Sequence, residues 1–211
     1  MQVFAINGNA MAGKDSFTLR VAQACDPQIA VTISTIDPVK EYYKSIGWNG
    51  DKFDPVHRKI LNTIKKMWIL EHIRIADCTN PYDWVCKQCK WYDDAKALAV
   101  FIMVREFEEM MKIVEIGKKY FNGGSTIRVV RGGLEVPPVE LEFIQSHPED
   151  YMYDYTIVNP TTDDETLPNL TEAAERFAEV LKYGVIEDPA HLIWNPEYKL
   201  YHQPKIRKQI Y

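Results

Sequence analysis

The run Gly8-Asn9-Ala10-Met11-Ala12-Gly13-Lys14-Asp15-Ser16 directly follows the apolar stretch Val3-Phe4-Ala5-Ile6. Glycines at both ends of so short a loop let successive N–H groups turn into one concavity, and a helix starting at the lysine adds the positive end of its dipole. That cradle suits a chain of phosphates. The amides from Asn9 to Ser16 would hold it, the Lys14 ammonium would reach its outer charges, and the Ser16 hydroxyl would meet phosphate or metal. The strict form of this motif has Ser or Thr immediately after the lysine, whereas here Asp15 takes that place and the hydroxyl comes one step later. A phosphotransferase is the chemistry that these residues point to.

Three arginines are placed to meet phosphate, Arg58 that of the acceptor. Arg58 lies one turn into a helix that opens at Asp54-Pro55, and its planar fork matches phosphate oxygens bidentately. Arg105 and Arg131 each follow an apolar strand-like run, at the edge where ligands of parallel sheets bind. Arg131 with Gly132-Gly133 reads as a lid-like segment over the donor, while Arg128, inside its run, reads as structural. Trp48 and Phe53 are candidates for stacking on a base or for ordinary packing.

The elements that must position these residues follow from the hydrophobic pattern. Five β-rich runs, Val3 to Ile6, Ile29 to Ile36, Ala97 to Val104, Thr126 to Val130 and Tyr155 to Val158, are mostly continuous in apolar character, as strands buried on both faces are. Helical patterns fill the intervals: Lys14 to Ala24, Pro38 to Ile46 behind an Asp37 N-cap, a long helix from Asp54-Pro55 with Ile60, Leu61, Ile64, Trp68 and Ile75 on one face, then Glu106 to Lys119 and Thr171 to Tyr183. This alternation predicts an α/β protein with a five-stranded parallel sheet in a three-layer arrangement. Residues 39–92 exceed what a simple crossover needs, so a helical, acceptor-binding cap is expected there within one domain spanning 1–211. The aromatic, proline-rich stretch 184–211 is expected to be a strap lying on the surface or on the second subunit of a homodimer.

Composition narrows the function classes. With a net charge of −5 and basic residues interspersed among acidic ones, the 211-residue chain carries no broad footprint for a nucleic-acid polymer. No window approaches the roughly 20 apolar residues that span a bilayer, and no basic segment precedes an apolar one, so a cytoplasmic protein with no membrane partner is expected. The 4 cysteines are too few for a disulfide scaffold. Cys86 and Cys89 have metal-pair spacing, with Cys78 and His72 upstream, but no second tight pair follows and structural thiols are expected.

Taken in order, these anchors resemble the P-loop deoxynucleoside monophosphate kinases of bacteriophages and bacteria, relatives of animal-type phosphomevalonate kinase. Gly13-Lys14-Asp15-Ser16 is similar to that group's Gly-Lys-Asp-hydroxyl loop; Asp37-Pro38-Val39-Lys40-Glu41 is similar to the segment where its acceptor region begins. Asp54 to Arg58 with Leu61, Val104-Arg105 with Glu108-Glu109, and Ser146-His147-Pro148-Glu149 followed by Asp154-Tyr155 and Asn159 resemble its later motifs. The resemblance implies the P-loop fold, ATP as donor, a small-molecule nucleotide as acceptor, and Mg²⁺ held near Ser16 and Asp15. It also implies an acceptor site containing Asp37, Lys40 and Arg58. By its own chemistry Asp37 would bind the acceptor's sugar or base, or serve as the helix N-cap. The family's third strand usually ends in an Asp that holds the hydration shell of Mg²⁺, and here that position is Met103. Two alternatives therefore stand beside a nucleoside monophosphate kinase: a kinase of a small phosphorylated metabolite such as phosphomevalonate, and a regulatory nucleotide-binding protein without turnover.

Overall fold

In a computed structural model, the residues described are 1–8, 11–25, 30–51, 54–131, 153–159, 170–183, 194–195 and 200–201. Asn9, Ala10, Ile29, Phe53, Gly132-Gly133, Ser146 to Glu149 and nearly all of the expected strap lie outside them. The described elements in chain order are β1 (Gln2–Asn7), α1 (Lys14–Cys25), β2 (Ala30–Ser34), α2 (Asp37–Ser45), α3 (Pro55–Leu70), α4 (Pro81–Asp94), β3 (Ala99–Met103), α5 (Phe107–Tyr120), β4 (Gly124–Arg131), β5 (Tyr155–Asn159) and α6 (Leu170–Tyr183). Two short antiparallel strands, β6 (Trp194–Asn195) and β7 (Leu200–Tyr201), pair within the C-terminal stretch.

Five strands form one parallel sheet in the order β2-β3-β1-β4-β5, so the fold is α/β, with the glycine loop leaving the central strand. The continuous apolar runs have the expected cause, since β1 is buried from Val3 to Asn7 and β3 from Ala99 to Ile102. Side chains alternate between the faces. Phe4, Ile6, Phe101, Ile127 and Ile157 project to the side covered by α1 and α6, whose Phe17, Val21, Ala174 and Phe177 complete that core. On the other side α5 packs along β1 and β4. The approach is at backbone contact: a Cβ on Gly124 would lie 2.1 Å from the Val114 carbonyl oxygen, and one on Gly117 would lie 2.7 Å from the Gly124 Cα. Helices on both faces of the sheet make the three-layer α/β architecture expected from the alternating pattern.

The chain divides into two compact units, Met1–Thr32 with Lys96–Tyr211, and Ile33–Ala95. The second unit has its own core of Val39, Trp48, Leu61, Ile64, Trp68, Ile75 and Cys78. Asp54 caps α3 by accepting the Val56 N–H at 2.7 Å, with Pro55 as first helical residue, as its sequence predicts. Asn80-Pro81 repeats the device for α4, the Asn80 side chain accepting from the N–H groups of Tyr82 and Asp83.

Two local expectations are corrected. Helix α3 stops at Leu70 and does not carry Ile75. His72, Ala76 and Asp77 have φ of +51°, +52° and +55°, a left-handed backbone that cannot continue a right-handed helix. Ile75 still reaches the same core through a tight bridge to Cys78, whose carbonyl accepts the indole N–H of Trp68 at 3.0 Å. Asp37 is not an N-cap. It is the first helical residue of α2 behind Ile36, and its carboxylate turns back to accept the Ser34 N–H at 2.7 Å.

Candidate functional site

The loop after β1 is the candidate phosphate site. In the core between the sheet and helices α1 and α6, the rings of Phe4, Phe17, Phe101, Tyr155 and Phe177 form one cluster, with centroid separations from 5.1 Å for Tyr155–Phe177 to 6.5 Å for Phe17–Phe101. Such offset and edge-on pairs add about 0.5–1.5 kcal/mol each beyond their buried area. They tie β1, β3, β5, α1 and α6 together, the elements that the loop joins or borders.

Gly8 leaves the strand with φ of +145°, Met11 has φ of +61° at the exposed crown, and Gly13 has φ of +99° just before α1. These are backbone angles that glycine adopts readily and that other residues adopt at a cost. Glycine is required at Gly8 for space as well: an added Cβ would sit 2.2 Å from the Val129 carbonyl oxygen on the neighbouring strand. The first bond within α1 runs from the Phe17 N–H to the Gly13 carbonyl at 2.8 Å. The Asp15 and Ser16 amides therefore precede it at the helix's positive end, without an acceptor inside the helix.

Lys14, half-buried, folds back so that Nζ donates to the Gly8 carbonyl at 2.6 Å. Asp15 and Ser16 are exposed on the first turn of α1. Three loop carbonyls are thus held by side chains, because Arg131 Nη1 donates to the Met11 carbonyl at 3.4 Å and Asn159 Nδ2 to the Ala12 carbonyl at 2.9 Å. Asn7, 3% exposed at the end of β1, accepts the Gly8 N–H on its side-chain oxygen.

The donor set is what a polyphosphate with Mg²⁺ requires: helix-start amides, one ammonium and a hydroxyl beside a carboxylate. Met103 ends β3 in register with Ile6, half-buried, with its side chain packed against the α1-side core. Arg105 is exposed two residues beyond β3. Arg128, on the opposite face of β4 from Arg131, stacks its guanidinium over Tyr153 at 5.7 Å, which fits the structural role expected of it.

The residues expected at the acceptor lie in the other unit. Asp37 forms an ion pair with Lys40 at 2.8 Å on the first turn of α2. Arg58 is exposed on α3, its backbone N–H bonding the Asp54 carbonyl. Trp48 is packed rather than presented: its ring stacks on Tyr43 at 5.2 Å with a 13° tilt, and its indole N–H donates to the Asp51 carbonyl. Tyr43 Oη also meets His57 Nδ1 at 3.0 Å. Cys89 is fully buried on α4, and burial, reinforced by Cys86 and Asp93, pushes its thiol up to about 12.

Sequence reasoning missed Asn7 and Asn159 as parts of this site. Asn159 was visible only as an anchor of the resemblance just past the fifth apolar run, and its role depends on which loop carbonyl stands opposite it. Strand pairing decides that. Thr126 and Asp154 lock β4 to the start of β5, the Thr126 N–H and hydroxyl both donating to the Asp154 carboxylate at 2.9 and 3.0 Å. The resulting register sets Arg131 beside Asn159 at the far end.

No helix among the described residues is long and apolar enough to cross a membrane. No family model and no curated protein matches the chain. Among solved structures, it is similar to a presumed kinase from Chloroflexus aurantiacus at 15% identity and a TM-score of 0.46, over 88% of this chain and 100% of that one. It is also similar to a sugar kinase from Janibacter at 11% identity and a TM-score of 0.40, over 86% of this chain and 94% of that one. The activities in those names are properties of those proteins.

Proposed function

We propose that this protein transfers the terminal phosphoryl group of ATP to a nucleoside or deoxynucleoside monophosphate, giving the diphosphate. The observation that carries the reading is the loop itself: a glycine at each end in left-handed backbone, three carbonyls tied back, and an ammonium at the start of a helix. In phosphoryl transfer the protein mainly positions two anions and stabilises spread charge, so a pre-formed set of donors is the larger part of the machinery.

Lys14 exchanges the Gly8 carbonyl for the outer phosphates of the donor, and the Asp15 and Ser16 amides take the inner ones. Mg²⁺, when bound, neutralises phosphate charge; Ser16 directly and Asp15 through water are the residues that would hold it. Arg105 and Arg131 supply further positive charge to the transferring group. Asp37, Lys40 and Arg58 bind the acceptor, with Arg58 on its phosphate and the cap of residues 39–92 as its frame. Met103 favours a second reading, a nucleotide-binding regulatory protein without turnover, because the position is apolar where metal hydration would need an acid.

The test is a panel of nucleoside and deoxynucleoside monophosphates, with phosphomevalonate alongside, assayed with ATP and Mg²⁺ for the wild type and Lys14→Ala. Turnover with a nucleotide acceptor, nearly abolished in folded Lys14→Ala, is the expected result. Equal turnover in the two proteins would refute the assignment to this loop. Tight ATP binding with no turnover on any acceptor would leave the regulatory reading in its place.

A further inference from the structure

The phosphate loop is held open by the ends of two strands that lie more than a hundred residues further along the chain. Asn159 Nδ2 donates to the Ala12 carbonyl at 2.9 Å across a sequence separation of 147, and Arg131 Nη1 to the Met11 carbonyl at 3.4 Å across 120. In a planar trans peptide the C=O and the N–H of the following residue point in opposite directions. Holding the Met11 carbonyl therefore aims the Ala12 N–H away from β4, and holding the Ala12 carbonyl aims the Gly13 N–H away from β5. Ala12 is fully buried, so its carbonyl has no water to turn to in place of Asn159. The fit is mutual, because a Cβ on Gly13 would lie 2.6 Å from Asn159 Nδ2.

Parity along the strands explains why these two residues serve. Ile127 and Val129 on β4 and Tyr155 and Ile157 on β5 face the α1 side, so Arg131 and Asn159, at even spacings from them, face it too. Each emerges where its strand ends, beside the loop.

We propose that Asn159 is a positioning residue of the phosphate site: by fixing the Ala12–Gly13 peptide, with Arg131 fixing the one before it, it presets the loop amides toward the donor polyphosphate. This rests on the function proposed above, and it adds a residue that does not itself touch substrate. It accounts for an amide-bearing side chain at the end of β5, where an ionised carboxylate or an apolar group would leave the Ala12 carbonyl without a donor.

The experiment measures binding of inorganic tripolyphosphate and of ATP, by calorimetry, to the wild type, Lys14→Ala, Asn159→Ala, Asn159→Leu and Thr126→Val. Asn159→Ala and Asn159→Leu are expected to weaken both ligands by about tenfold, as loss of one part-buried hydrogen bond and its preorganisation implies. They should also speed hydrogen exchange of the Gly13 amide in the unliganded protein. Thr126→Val removes only the hydroxyl's bonds to Asp154, while the backbone N–H bond, the strand ladder and the packing of Ile127 and Ile157 keep the register; it should lower the melting temperature and leave affinity unchanged, which separates positioning from general stability. If the wild type binds and Lys14→Ala does not, while both Asn159 variants bind like wild type, the positioning role is overturned and the donor site stands. If the wild type binds neither ligand, both fall together. If neither Asn159 variant folds, Asn159 secures the core rather than the loop, and the inference is overturned.

Discussion

Gly8→Ala is the substitution whose cost the geometry states most directly. Two effects combine there. The residue has φ of +145°, which an L side chain adopts at a cost of about 1–3 kcal/mol. Its new Cβ would stand 2.2 Å from the carbonyl oxygen and 3.1 Å from the carbonyl carbon of Val129, backbone atoms of an interior strand that cannot swing aside as a side chain can. Relieving that overlap adds about 1–3 kcal/mol. The expected loss is therefore roughly 2–6 kcal/mol, a large part of the ~5–15 kcal/mol that holds a typical domain. At about 2–4 °C per kcal/mol for a chain of this size, the melting temperature should fall by roughly 5–20 °C. Gly123→Ala is the matched control in the same unit: φ there is +154°, but no atom lies within 4 Å of an added Cβ, so it feels only the backbone term. Thermal melts of the three proteins, followed by ATP binding below the lower midpoint, make the comparison. Gly8→Ala should melt well below Gly123→Ala and bind ATP at least about tenfold more weakly, because relief must come from moving the loop off β4. Equal melting of the two variants would refute the reasoning, since it would mean that β1 and β4 do not approach as closely at the loop as described.

Two further outcomes follow from other parts of the molecule. Arg58→Ala should raise the KM for the monophosphate far more than that for ATP, by about 1.5–3 kcal/mol of lost charged hydrogen bonding, with Arg58→Lys recovering only part; steady-state kinetics showing both substrates weakened equally would remove Arg58 from the acceptor site. Cys89 keeps its proton in the folded protein up to about 12 but ionises near its ordinary value of 9.0 when unfolded. Across that window the unfolded state binds fewer protons, so this group's contribution makes stability fall as pH rises, by about 1.4 kcal/mol per pH unit. Denaturant melts between pH 8 and 11 should show the decline, and half-buried Cys86 should alkylate before Cys89; rapid labelling of Cys89 at neutral pH in the folded protein would contradict its burial.

The loop from Gly8 to Ser16 was legible in the sequence because its chemistry is local: glycines that accept left-handed backbone, a lysine at a helix start and a hydroxyl one turn in all act over a few bonds. The same holds for the apolar strands of a doubly covered sheet and for the Asp54-Pro55 cap. Where a residue has two local solutions, only the folded chain chose between them. Asp37 reads as the N-cap of α2, yet it became the helix's first residue, its carboxylate turned to the Ser34 N–H and Lys40. Ile75 continued the period of α3, yet left-handed residues at His72, Ala76 and Asp77 brought it to the core by a turn. Asn159, and the loop carbonyl that Arg131 holds, lie furthest beyond sequence reasoning, because these partners depend on a strand register that the Thr126–Asp154 lock and the packing of Ile127 and Ile157 settle together. The sequence determined that a loop with glycine at each end would join β1 to a helix starting at Lys14. Tertiary structure decided which distant side chains hold its carbonyls, since a hydrogen bond between residues 147 positions apart exists only once the sheet has brought its strand ends side by side.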